Sequence, residues 1–128
     1  QKIKCYTKIM NKRFSILSFK YAFEGLTAAL KEESNLKFHF LAGIIVVVLG
    51  LILKIARSDW ITIIILIGFV IAIELTNTAI EAVVDGLTSE QHPAAKIAKD
   101  ISAGAVLISA ITATAVGIVI FLPYIFNG

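Results

Sequence analysis

Residues 60–85 read WITIIILIGFVIAIELTNTAIEAVVD. From Ile61 to Ile73 the only polar side chain is Thr62. A spanning helix needs about 20 mostly apolar residues, and residues 60–83 meet that length. After Ile73 the stretch turns polar without breaking: Glu74, Asn77, Glu81 and Asp85 follow at helical spacing. At about 100° per residue, the last three lie at about 300°, 340° and 20° relative to Glu74, one arc of about 80°. Leu75, Ile80, Val83 and Val84 mostly cover the remaining circumference. One face of this helix thus carries three carboxylates and an amide, beginning inside the apolar segment.

Carboxylates at membrane depth cost several kcal/mol unless paired or neutralised. Three on one face also repel each other, so the strip needs cations: protons, Lys/Arg or a metal. A helix that simply emerges into water at Glu81 explains Asp85 but not Glu74, which Ile71, Ile73 and Leu75 surround. Hard divalent cations prefer carboxylate oxygens, and Mg²⁺ usually takes one or two of them plus substrate phosphates. The face therefore suits Mg-ATP. Glu32 and Glu33, just before the first span, are placed to complete the site from a second helix. Lys96, Lys99 and Asp100 follow in the 85–100 loop, where ammonium groups can meet phosphate.

Two further segments can span. Residues 36–55 hold no charge between Lys37 and Lys54, and residues 101–126 hold none at all. The short 56–59 link makes the first two spans a hairpin. The fold class is an all-α integral membrane protein with three transmembrane helices. Residues 34–128 form the membrane domain. Residues 14–33, with Phe14, Leu17, Tyr21, Leu26 and Leu30 as an apolar stripe, predict an amphipathic helix on the membrane surface. Residues 1–13 read as a basic tail. Small residues at four-residue steps (Ala105, Ser109, Ala113, Gly117; Gly68, Ala72) read as close-packing stripes.

Positive residues favour the cytoplasmic side. Residues 1–37 hold Lys2, Lys4, Lys8, Lys12, Arg13, Lys20, Lys31 and Lys37 against Glu24, Glu32 and Glu33. This places the N-terminus and the 85–100 loop on the cytoplasmic side of the membrane, and the 56–59 link and C-terminus outside. Trp60 and Tyr124 then share the outer interface. The N-terminus does not read as a signal peptide: the first apolar run starts after Lys37 with no cleavage pattern.

Composition agrees. Of 128 residues, 58% are hydrophobic and 16% charged, against about 25% charged in soluble domains. The net charge of +3 is concentrated near the start. With so apolar a remainder, lipid and nucleotide are the partners expected, and nucleic acid is not. The single cysteine, Cys5, permits no disulfide within the chain. His39 and His92 are isolated, so zinc chemistry is unsupported. Neither a G-x-x-x-x-G-K-[ST] loop nor a G-x-G-x-x-G loop is present.

The pattern Glu74-x-x-Asn77-Thr-Ala-Ile-Glu81-x-x-Val-Asp85, followed by His92-x-x-x-Lys96-x-x-Lys99-Asp100-x-x-Ala-Gly104-Ala-Val-Leu107, resembles the bacterial diacylglycerol kinase/undecaprenol kinase family. Ala22-Phe-Glu-Gly25-Leu26 and Glu33-Ser-Asn35-x-x-x-His39 fit its N-terminal part. The resemblance covers about residues 14–120. It implies a homotrimeric bundle with active sites shared between subunits, and direct transfer of the ATP γ-phosphate to a lipid alcohol in phospholipid metabolism. It implies Glu74 as the base and Glu33 and Glu81 as Mg²⁺ ligands at the nucleotide. Asn77, Asp85, Lys99 and Asp100 would bind or orient the nucleotide, with Asn35 and Lys99 joining Glu74 at the lipid. Glu33-Ser-Asn35…His39 and Glu90-x-His92-Pro93 resemble Gram-positive members, which favour undecaprenol; diacylglycerol is the alternative acceptor. Leu36 stands where an aromatic residue is expected and Ser102 where alanine is expected, neither touching the expected chemistry.

Two other classes of function compete. An oligomeric ion or proton conductor would use Glu74, but it needs polar residues continuing through the outer half, and 61–73 offers only Thr62. A membrane scaffold explains the packing stripes but not four polar residues on one face.

Overall fold

The computed structural model describes residues 2–87 and 92–126, with side chains described from residue 17 onward. Four helices follow in order: α1 (Lys2–Glu32), α2 (Ser34–Leu53), α3 (Arg57–Leu87) and α4 (Pro93–Phe126). No strand occurs among the described residues. α1 is one compact unit, and the chain from Glu33 onward forms a second.

Within α1, which begins at Lys2 and so includes most of the 1–13 stretch, Thr27 Oγ1 donates back to the Phe23 carbonyl at 2.9 Å. Lys20 and Glu24 pair at 3.8 Å, both exposed, a contact worth little in water. Leu17 and Tyr21 are exposed, and so are Phe19 and Phe23. At about 100° per residue, Phe19 and Phe23 share one arc with Leu26 and Leu30, opposite Leu17 and Tyr21, so the apolar side chains do not form a single stripe.

α2, α3 and α4 are each long and apolar enough to cross a membrane. α3 and α4 run beyond the apolar stretches. α4 begins at Pro93, not near 101, so Lys96, Lys99 and Asp100 stand on its first two turns and not in a loop. The cause is local: proline suits the first helical position, and Ala94, Ala95 and Lys96 are strong helix formers. Hydropathy marks the lipid-embedded part of a helix, and backbone hydrogen bonding carries the helix further. Glu90 lies outside the described residues.

α2 starts after Glu33, whose extended backbone (φ −94, ψ 114) separates it from α1. It ends at Lys54, which takes the left-handed conformation (φ 51, ψ 49) and donates its N–H to the Gly50 carbonyl. The Ile55 N–H reaches the same carbonyl at 3.2 Å, and the Ile55 side chain is buried. This arrangement closes the last turn of a helix and reverses the chain, here with lysine where glycine is usual. The hairpin with α3 follows.

α3 is the central helix, packing most on α4, then on α2, while α2 and α4 touch little. The apolar core sits at the α2–α3 turn end: Ile55, Ile63 and Phe121, flanked by Leu49, Trp60 and Ile67. Two glycines of α2 let α3 approach. A Cβ on Gly43 would lie 3.2 Å from Ile67, and one on Gly50 would lie 3.0 Å from Trp60 and 3.1 Å from Ile55. The Tyr124 hydroxyl donates to Asp59 Oδ2 at 2.6 Å and accepts the Ala56 N–H at 2.9 Å. It ties the end of α4 to the hairpin turn.

Few side chains are buried within the chain, and Ile64, Phe69, Ile111 and Val119 among many others stand exposed. Such a surface suits lipid and neighbouring helices, where apolar exposure carries no hydrophobic penalty. The small-residue stripes split accordingly. Ser109 is buried and Ala113 and Gly117 half-buried, while Ala105 of the same stripe, and Gly68 and Ala72 of the other, are exposed.

Candidate active site

The polar strip of α3 lies on the helix's inward face and emerges gradually. Glu74 is 2% exposed and Asn77 7%; Glu81 is half-buried and Asp85 exposed. Glu81 lies about 10 Å from Glu74 along the axis and Asp85 about 16 Å. The strip is thus a ramp from the apolar interior to the α3–α4 end of the bundle.

At its deep end, Glu74 Oε2 is buried without a hydrogen-bond partner among the described residues. The groups that act on this carboxylate electrostatically are His39, Glu81 and Glu33. Glu33 and His39 come from the start of α2, so two helices converge here. His39, half-buried and edge-on to Phe38 with ring centroids 5.6 Å apart, belongs beside the site. The sequence signal for it was its position one turn after Asn35. A buried polar atom without a partner is costly, which marks this end of the strip as a place where a polar group could be received.

Further along the ramp, Asn77 Nδ2 donates to Glu81 Oε1 at 3.2 Å. Asn77 Oδ1 accepts the Ser102 hydroxyl of α4 at 2.6 Å. Ser102 therefore touches the strip, contrary to the expectation that it stands clear of the chemistry. Antiparallel packing of α3 on α4 brings it there, and linear spacing does not show this. At the exposed end, Lys99 Nζ donates to Asp85 Oδ1 and Oδ2 at 2.8 and 3.0 Å. Hydrogen bonds thus join Asn77 with Glu81 and Ser102, and Asp85 with Lys99; Glu33 and His39 bear on Glu74 through charge, and Asp100 and Asn35 stand exposed.

The donor set fits Mg²⁺ as the hard cation of a nucleotide complex. All acidic oxygens here are carboxylates, one of them without a partner. No group of three or more His, Cys, Asp or Glu among the described residues could hold a metal alone. Beside the strip, a cavity of about 520 Å³ opens between α2, α3 and α4. Apart from His39 and Thr114, its walls are apolar.

Comparison with known proteins shows matches over most of the chain. The family described as prokaryotic diacylglycerol kinase matches residues 20–121. An undecaprenol kinase of Bacillus subtilis (strain 168) is 41% identical over 106 residues, covering 83% of this chain and 86% of that protein. A diacylglycerol kinase of Synechocystis is 37% identical over 109 residues, 84% of this chain and 62% of that protein. The diacylglycerol kinase of Escherichia coli (strain K12) is 36% identical over 93 residues, 73% of this chain and 76% of that protein.

Proposed function

This chain belongs to the prokaryotic diacylglycerol kinase family and is a multi-pass membrane lipid kinase; on that premise we propose that it phosphorylates undecaprenol with Mg-ATP, giving undecaprenyl phosphate at the cytoplasmic membrane face. The observation that carries the reading is Glu74: a carboxylate 2% exposed, with one oxygen lacking a partner among the described residues, at the foot of a polar ramp. The similarity to an undecaprenol kinase over 83% of the chain supports the choice of acceptor. Diacylglycerol is the second candidate, from the other relatives.

Glu74 accepts the proton of the lipid hydroxyl. The freed oxygen bonds to the γ-phosphorus, the bond to the bridging oxygen breaks, and ADP leaves. Phosphoryl transfer of this kind depends mainly on positioning and charge neutralisation. Glu33 and Glu81 would hold Mg²⁺, which when bound offsets the negative charge of the phosphates. Asn77 orients the nucleotide, and Lys99 leaves Asp85 to meet phosphate oxygens. Asp85 and Asp100 bound the nucleotide end, and Asn35 and Lys99 flank the lipid headgroup. The basic N-terminal segment and Lys96, Lys99 put this end of the bundle on the cytoplasmic side, with α1 lying on the inner membrane surface. The working form is a homotrimer whose outward small residues Gly68 and Ala72 pack between subunits. Ion conduction is disfavoured because the cavity beyond Glu74 is walled by apolar side chains such as Val70, Ile63 and Phe121, with no carboxylate, lysine or arginine among its lining.

The test is a phosphorylation assay in mixed micelles with Mg-ATP and either lipid. Undecaprenol should be phosphorylated with the higher kcat/KM. Faster turnover of diacylglycerol would reverse the acceptor assignment, and no product with either lipid from folded protein would overturn the reading.

A further inference from the structure

We propose that Ser102 is a positioning residue of this site, its hydroxyl holding the Asn77 amide with Nδ2 turned toward Glu81. The inference rests on the reading of Asn77 as a nucleotide contact. An asparagine amide has two ends of nearly equal shape, one donating and one accepting. The amide's nitrogen end faces Glu81, Nδ2 donating to Oε1 at 3.2 Å. Oδ1 then points across to α4, on a residue 7% exposed, and there it needs a donor.

Ser102, itself 7% exposed, supplies that donor at 2.6 Å. The hydroxyl has one proton and a second acceptor within reach, the Lys99 carbonyl at 3.0 Å. That carbonyl lies within α4, where the N–H four residues on already serves it. The amide oxygen has no such alternative and takes the shorter contact. Ser102 also stands one turn from Lys99, so the amide and the lysine are set from the same stretch of α4.

With alanine at 102, Oδ1 becomes a buried acceptor without a donor. Turning the amide over would set Oδ1 against the Glu81 carboxylate. Neither end is then satisfied, and the side chain leaves its present orientation. Glu74, the base, keeps its surroundings. The loss should therefore fall on nucleotide binding and not on turnover.

The experiment compares Ser102→Ala, Ser102→Thr, Asn77→Ala and the Ser102→Ala/Asn77→Ala pair in the full chain, in lipid–detergent micelles. The KM for ATP and kcat are read separately. Ser102→Ala should raise the KM for ATP by roughly five- to tenfold, the size expected when a buried acceptor loses its donor, with kcat within about twofold. Ser102→Thr, which keeps a hydroxyl, should stay close to the parent. In the Asn77→Ala background, Ser102→Ala should add nothing. A parental KM for Ser102→Ala beside a raised KM for Asn77→Ala overturns the positioning role alone. A parental KM for Asn77→Ala overturns the nucleotide-contact reading and the positioning role with it. Full additivity in the double variant shows that Ser102 acts through something other than Asn77, and sinks the proposal.

Discussion

Lys99 and Asp85 are joined across α3 and α4, the ammonium donating to both carboxylate oxygens at 2.8 and 3.0 Å. The side chains are 39% and 53% exposed, so the pair adds little to stability, under about 1 kcal/mol. In the proposed mechanism a phosphate draws Lys99 away from Asp85. Lys99→Ala should lower kcat/KM for ATP about 100-fold or more, the scale of losing one charge-stabilising group. Thermal unfolding in detergent should barely move. A variant with near-parental kcat/KM would remove Lys99 from the site.

Glu74→Gln keeps the shape and removes the proton acceptor. Turnover should fall by about 10²–10⁴-fold, the usual contribution of a general base. The protein should unfold no more easily than the parent, because a buried carboxylate is dearer than a buried amide. Steady-state kinetics and a melting curve on the same preparation check both parts.

Glu81→Ala should raise the Mg²⁺ concentration needed for half-maximal activity by roughly tenfold or more, since second partners of a weakly held cation matter most. Chelation with EDTA should abolish activity, and added Mg²⁺ should restore it in the parent. An unchanged Mg²⁺ dependence would place the metal elsewhere.

Tyr124→Phe removes the hydroxyl that serves both Asp59 and the Ala56 N–H. Unfolding free energy should drop by about 1–3 kcal/mol, measured in mixed micelles. Activity at low temperature should persist, because the bond lies at the end of the bundle away from Glu74.

Gly50→Ala should destabilise by about 1–3 kcal/mol, the usual range for overpacking. Its methyl meets Trp60 at 3.0 Å and Ile55 at 3.1 Å, whereas at Gly68 nothing lies within 4 Å in the chain. Gly68→Ala should leave the unfolding of the isolated chain unchanged and, if the proposed trimer packs there, weaken subunit crosslinking.

Much of the site was legible before any coordinates. Glu74, Asn77, Glu81 and Asp85 share a face through helical period alone, and the graded burial from 2% at Glu74 to exposed Asp85 follows from where the apolar run stops. His39 and Ser102 were not placed at the site by spacing. His39 sits in a different span, and Ser102 is 25 residues from its partner. Gly43 and Gly50, seven residues apart, could have been recognised as a close-approach row in the first span, but their contacts with Ile67, Ile55 and Trp60 could not.

By itself the sequence determined three helices across a membrane, the one-sided acidic strip, and the family, because these depend on local period, hydropathy and a continuous motif. The packing of the helices settles which strip residues meet: the Asn77 amide with Ser102 and Asp85 with Lys99. Those choices depend on how antiparallel helices register against one another. That register is set by glycine contacts and end ties such as Tyr124 to Asp59, which join residues far apart in the chain.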